Sequence, residues 1–323
     1  MRCVVYRGTG GREVVAVEDR GDRVASKFEV VIAPGFAGVN PADVLQREGR
    51  HPVPPGSPTD IPGLEVAGEV VATGEAVTRF QVGDRAFGLV GGGGLATRVV
   101  AMEADLLPVP DALDDRSAAA VPQAFITAFD AIAQGGLASG DTLLVNGASG
   151  GVGTATVQIA RAIGARVVAN VRSEELRPRV AELGAIAVGA DEAYERVAAL
   201  GGADVIVELV GATHMSRNIE ALARGGRLVV VGAKPGDEAA VVLRDLMSRR
   251  AHLIGTTLRT RTPAEKATLV REFGRRVVPF LADGTVTPLV HRAFPLEEAA
   301  DALDFVREPG KLGKVLLEMP DGG

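Results

Sequence analysis

The stretch Val145–Arg172, VNGASGGVGTATVQIARAIGARVVANVR, reads as a strand, a glycine-rich bend, a helix and a second strand. The bend brings Gly150, Gly151 and Gly153 together, and the helix after it carries Val152, Ala155, Ile159 and Ile163 on one face. Glycines at such a bend let the backbone turn sharply and approach a diphosphate. The helix start adds unpaired N–H groups and the positive end of its dipole. A lone glycine cluster means little. Here the strand before it, the helix after it and the second strand at the right distance predict a dinucleotide-binding unit, with Ser149, Gly150, Gly151, Val152 and Gly153 at the phosphates. The alternative is a tight strand–helix turn with no ligand.

The second strand runs out in Asn170-Val171-Arg172-Ser173, with no carboxylate at its tip. A site for NAD usually holds the ribose 2′-hydroxyl with an acid there. Arg172 and Ser173 suit a 2′-phosphate instead, through a charge-assisted contact and a hydroxyl hydrogen bond, which points to NADPH. The lesser alternative is that Arg172 is an ordinary surface arginine, and Glu174 and Glu175 weaken the local positive field.

Outward from this unit the character of the chain changes twice. Before about residue 121 it is β-rich: RCVVYR, EVVIAP, LEVAGEVVATG, DRAFGLV and LATRVV are short Val-rich runs broken by Gly and Pro, and PVPPGSPTDIPG is an irregular loop. From Pro122 apolar strands (TLLVN, RVVANV, DVIVELV, RLVVVGA, HLIGTT) alternate with helical patterns, the rhythm of a doubly wound parallel sheet. After Arg261 the segment PAEKATLVREFGRRVVPFLADG predicts one helix, with Leu269, Phe273, Val277 and Leu281 at a spacing of four. LEEAADALDFVR predicts a second helix and KVLLEM a closing strand. These last elements are too few to stand alone. The expected architecture is therefore α/β, with a discontinuous β-rich domain of residues 1–121 and 260–323 and an inserted Rossmann domain of residues 122–259.

Composition narrows the function classes. The chain has 323 residues, enough for two domains, and a formal charge of −6 with its charges interspersed, which argues against a nucleic-acid surface. It is 46% hydrophobic but only 4% aromatic, without Trp, so Ala, Val, Ile and Leu must build the core. Its one cysteine, Cys3, rules out an internal disulfide and a multi-cysteine zinc site. His51, His214, His252 and His291 are scattered without metal-ligand spacing, so no metal is expected. No apolar run approaches the roughly 20 residues of a membrane span, and the start of the chain lacks a leader pattern; a soluble cytoplasmic protein is expected.

Several motifs together resemble one family. GVNPADVLQREGRH (Gly38–His51), PGLEVAGEVVATG (Pro62–Gly74), VGDRAFGL, AAAVPQAFITAF (Ala118–Phe129), NGASGGVGTATVQIAR, GGRLVVVG and GKVLLE are similar to the zinc-free quinone oxidoreductase branch of the medium-chain dehydrogenase/reductase superfamily, closest to its p53-inducible quinone oxidoreductase-like subgroup. The resemblance runs from end to end. It implies a GroES-like catalytic domain with the Rossmann domain inserted, an NADPH cofactor and a homodimer. Where zinc-dependent relatives carry Cys and His, this chain has Val39-Asn40-Pro41 and Leu64. Where relatives place a Lys and a Tyr near the adenosine phosphate, it has Leu176 and Asp191, leaving Arg172 or Arg177 to replace the Lys. His51 stands where the subgroup has a Tyr facing substrate; it replaces that hydroxyl or is a solvated loop histidine.

The expected chemistry follows from losing the metal. Without a Lewis acid, each hydrogen-bond donor at a developing oxyanion is worth about 3 kcal/mol. The simplest compensation is a substrate that delocalises charge itself, a quinone or an α,β-unsaturated carbonyl. The resemblance and the clustering in one motif make Asn40, Asp43, Gln46 and His51 the candidate active-site wall, with Asp43 equally readable as a carboxylate fixing a helix start. Asn40, Thr127, Gly232, Ala233, Leu258, Arg259 and Lys314 are expected along the cofactor, Lys314 being equally readable as a surface lysine. The competing readings are an enoyl-thioester reductase and a redox-silent NADPH-binding protein.

Overall fold

The computed structural model describes residues 1–232 and 238–320. The chain forms two compact units, Met1–Ile126 with Arg259–Gly323, and Thr127–Leu258. The division falls inside one helix, Pro122–Gln134.

In the second unit, six strands form one parallel sheet in the order Ile186–Val188, Arg166–Asn170, Thr142–Asn146, Ala203–Glu208, Leu222–Val230, His252–Gly255. Along the chain these are the third, second, first, fourth, fifth and sixth strands, so the order reverses between Thr142–Asn146 and Ala203–Glu208. In such a sheet the ligand crevice lies at that reversal, beyond the carboxyl ends of the strands. The middles of the central strands are continuously apolar because helices cover both faces: Leu143, Leu144, Val145, Val205, Ile206 and Val207 are all fully buried.

The first unit is mostly antiparallel. Five strands pair in the order Val99–Met102, Glu29–Ala33, Glu65–Thr73, Arg85–Leu89, Leu106–Pro108. A separate sheet joins the two ends of the chain: Lys314–Glu318 lies between Val290–Pro295 and Phe36–Val39, pairing antiparallel with the latter from Val315 opposite Val39 to Glu318 opposite Phe36. Val4, Val39, Val44, Leu303, Val315 and Leu317 share one buried cluster, so the closing segment completes the core begun by the first fifty residues.

Two sequence expectations need correction. The single helix expected after Arg261 is two, Pro263–Arg276 and Val278–Ala282. Pro279 has no N–H to donate and its ring would meet the carbonyl one turn back, so the helix ends at Val277 and restarts. The helical pattern expected to follow RVVANV is only the short helix Arg177–Ala181. The strand Ile186–Val188 and the helix Ala190–Ala199 follow it. A three-residue edge strand with Ile186 exposed is too short to show an alternating pattern. Among the described residues no helix is long and apolar enough to cross a membrane.

Candidate functional site

The glycine bend divides its work among its residues. The strand ends at Asn146, Gly147 takes a positive φ of 82°, and the helix Gly151–Ala162 starts after the N-cap Gly150. A Cβ on Gly153 would lie 2.3 Å from the Gly147 carbonyl oxygen and 2.6 Å from Ala148 Cα, so Gly153 lets the helix close onto the bend. A Cβ on Gly150 would meet only the Gly147 oxygen, at 3.9 Å, so the outer side of the bend is open to an incoming group. Ser149, Gly151 and Val152 are half-buried beside it, and no acidic residue occupies the first helical turn to oppose an anion. This cradle fits a dinucleotide diphosphate.

At the tip of the next strand Arg172 is exposed and Ser173 half-buried. Arg177 is engaged: its Nε donates to the Val171 oxygen at 3.2 Å, and its Nη1 lies 3.3 Å from Glu174 Oε1. Arg172 is therefore the arginine whose guanidinium has no hydrogen-bond partner among the described contacts, while Arg177 braces the turn. Asp191, aligned with the relatives' Tyr, pairs with Arg217 at 2.8 Å. Gly232 packs against the Leu209 oxygen, where a Cβ would stand 2.6 Å away. Thr127 is buried and Leu258 half-buried in this unit; Ala233 lies outside the described residues.

The same sheet carries a buried polar network that the sequence did not announce. Asn170 Nδ2 donates to Asn146 Oδ1 at 2.8 Å, and Asn146 Nδ2 and Asn218 Nδ2 donate to Glu208 Oε2 at 2.8 and 2.7 Å. Glu208 Oε1 accepts the N–H groups of Val210 and Gly211 at 2.6 and 2.9 Å. Burial pushes the Glu208 carboxyl up, but His214, Asn218 and the Gly211 and Val210 amides outweigh it and hold the group below the usual glutamate value.

In the first unit the candidate residues converge on a buried ion pair. Asn40 caps the helix Pro41–Arg47. Its Nδ2 donates to Glu65 Oε1 at 2.8 Å, and Lys314 Nζ donates to both Asn40 Oδ1 and Glu65 Oε1 at 2.6 Å. Glu65 Oε2 takes the Gln123 N–H at 2.8 Å, near the start of the helix Pro122–Gln134. Asn40, Glu65 and Lys314 are all buried, so Lys314 is no surface lysine. Glu65 went unnoticed in the sequence. The available signal was a charged residue opening each of two apolar strands, LEVAG and KVLLE.

Asp43 is fully buried, and its two oxygens accept the Asn40 and Gly63 N–H groups at 2.8 and 3.1 Å. Burial pushes its carboxyl up to about 7, against the Asn40 amide and the Lys314 ammonium, which lower it. Arg259, expected over the cofactor, belongs to this unit. Its Nε donates to the Pro52 oxygen at 2.5 Å, its Nη1 to the Gly91 oxygen at 2.8 Å, and its Nη2 approaches Gln46 Oε1 at 3.4 Å. It thus binds two loops to the helix of Asn40. His51, half-buried, is pushed down to about 4 by burial and by the Arg259 charge, so it is neutral at pH 7. Among the described residues no group of three or more His, Cys, Asp or Glu side chains is placed to hold a metal ion.

Comparison with known proteins matches this geometry. Residues 26–111 match the alcohol dehydrogenase GroES-like domain, and residues 151–275 match the family described as zinc-binding dehydrogenase. The quinone oxidoreductase of Rattus norvegicus is 33% identical, covering 98% of this chain and 97% of its own length. The solved quinone oxidoreductase of Thermus thermophilus, described also in complex with NADPH, is 35% identical with a TM-score of 0.85, covering 98% of this chain and 100% of that one. A solved NAD-dependent alcohol dehydrogenase is 31% identical with a TM-score of 0.87, over 99% and 100%. The chain pairs a GroES-like unit with a Rossmann sheet and is a pyridine-nucleotide oxidoreductase of the medium-chain dehydrogenase/reductase superfamily; it belongs to the quinone oxidoreductase family.

Proposed function

We propose that the chain is an NADPH-dependent reductase of quinones or conjugated enones that works without zinc. The observation that carries this reading is the open glycine bend followed by a strand tip bearing Arg172 and no acid. When bound, NADPH supplies hydride to a conjugated carbon or a quinone. The chain's own groups do the rest. Amides at the start of the helix Gly151–Ala162 hold the diphosphate, while Arg172 and Ser173 hold the 2′-phosphate. Lys314 and Glu65 lock Asn40 in one orientation. Asp43 spends both oxygens on backbone amides and fixes the loop rather than giving up a proton. His51, neutral at pH 7, serves as a hydrogen-bond donor to a substrate oxygen and not as a cationic acid.

The test is an NADPH-oxidation screen over ortho- and para-quinones, alkenals and enoyl thioesters, run beside NADH. Turnover confined to thioesters would make the chain an enoyl reductase, and binding without any turnover would make it a redox-silent sensor. Arg172→Ala is expected to weaken NADPH binding roughly ten- to hundredfold, the worth of one charge-assisted hydrogen bond, and to leave NADH binding nearly unchanged. Equal losses for both cofactors in a titration would refute the assignment. EDTA is expected to leave turnover untouched, since no ligand group is placed for a metal among the described residues; a loss restored by zinc would overturn the metal-free reading. The reading extends to a cytoplasmic homodimer. The edge strand His252–Gly255, with exposed Leu253 and with Leu243 and Met247 nearby in sequence, supports self-association, which sedimentation of the purified protein checks, as cell fractionation checks the compartment.

A further inference from the structure

We propose that Glu208 is a positioning residue for the dinucleotide, setting the relative heights of the loops on which that ligand lies. The proposal rests on the reading that this chain binds NADPH. Glu208, Asn146 and Asn170 are the last residues of three adjacent strands, and the register places Asn146 directly opposite each of the other two. The strand order reverses between the strands of Asn146 and Glu208, so their carboxyl ends flank the crevice.

Each of these strands runs into a loop at that crevice. After Asn146 comes the glycine bend, after Asn170 the Arg172 tip, and after Glu208 the segment Leu209–Gly211. The carboxylate holds the last of these loops directly and is linked to the roots of the other two through the strand-end asparagines. Its Oε1 holds the Val210 and Gly211 amides, the latter at a residue with φ of 126°. Its Oε2 holds Asn146, which in turn holds Asn170. The segment so fixed touches the other loops: Leu209 and Val210 stand 3.3 and 3.2 Å from where a Cβ of Gly147 would be, and the Leu209 oxygen sets the approach of Gly232.

The chemistry of the group is unusual for a merely structural role. Glu208 is fully buried, and the described contacts give it no Lys or Arg partner. The one ionisable cation former shown against it is His214, whose Nδ1 lies 3.4 Å from Glu208 Oε2. The cost of burying this carboxylate is met by hydrogen bonds from loop amides and asparagines rather than by a Lys or Arg cation. What an apolar residue cannot do is accept from two loop amides and two asparagines at once.

Glu208→Gln keeps the shape but offers an N–H₂ to groups that already donate. Titration calorimetry on the full chain suits the test, since it needs no Trp signal. The variant is expected to weaken NADPH and NADH alike, by about tenfold or more, because the defect lies beneath the whole ligand and not at the 2′-phosphate. In turnover, the KM for NADPH is expected to rise while kcat at saturation stays within about twofold. Adding Asn218→Asp returns an acceptor to face the new amide and is expected to restore affinity to within roughly threefold of the parent, a rescue that loss of general stability would not give.

Parent-like affinity in folded Glu208→Gln overturns the proposal. Should that variant fail to fold, Asn170→Ala breaks only the outermost link of the network; an unchanged NADPH affinity there overturns it equally. A parent protein that binds neither cofactor overturns the underlying reading instead.

Discussion

Lys314→Met is expected to lower the melting temperature by about 6–20 °C, because it strips a buried carboxylate of its cation. Lys314 and Glu65 are both buried, and their contact is 2.6 Å long. Removing one member of such a pair costs about 3–5 kcal/mol, most of it the penalty of the charge left behind. Met keeps the length and much of the volume of the lysine stem, so packing contributes little. The double variant Lys314→Met with Glu65→Gln is expected to recover most of the loss, since Gln retains an acceptor for the Gln123 amide without the charge. Thermal unfolding followed by circular dichroism reads both. A single variant that melts within a few degrees of the parent would show that water or a neighbour already compensates Glu65.

Gly153→Val is expected to cost about 3 kcal/mol of stability in the Rossmann unit and to reduce dinucleotide affinity by roughly a hundredfold or more. The new Cβ would sit 2.3 Å from the Gly147 oxygen and 2.6 Å from Ala148 Cα, so the contact between helix and bend must open. Opening it tilts the helix start away from the diphosphate, and each amide lost there is a charge-assisted bond worth about 1.5–3 kcal/mol. Gly150→Ala is the matched control. Its Cβ has only one neighbour, at 3.9 Å, so folding is expected to be intact while the methyl intrudes on the ligand's side of the bend. Calorimetric titration beside a melting curve separates the two. Unchanged affinity in Gly153→Val would mean that the ligand does not lie on this bend.

How much of this was legible in the sequence depends on distance along the chain. The glycine bend is local, so its strand, turn and helix could be read from one run of residues, as could the change from β-rich to alternating pattern near Pro122. The break at Val277 was hidden because the apolar spacing of four continues across it; the missing signal was Pro279, which overrides periodicity. The ion pair of Lys314 with Glu65 joins residues 249 apart, and neither residue carries a mark that names its partner. Glu208 ends an apolar run in much the same way, and only the register of three strands shows that its carboxylate faces two asparagines. Arg259 is a further case: its place after the last sheet strand gives no sign that its donors meet carbonyls at positions 52 and 91, far away along the chain.

The pairing of Lys314–Glu318 with Phe36–Val39 also dictates an order of events during synthesis. The Rossmann unit is one continuous segment and has all its strands as soon as His252–Gly255 has left the ribosome. The GroES-like unit can complete its five-stranded sheet early but leaves the strand Phe36–Val39 without its partner until Lys314–Glu318 emerges, and with it the counter-ion for Glu65. A nascent chain stalled before that point carries a finished nucleotide fold beside an unfinished one, and the unfinished one is the earlier made.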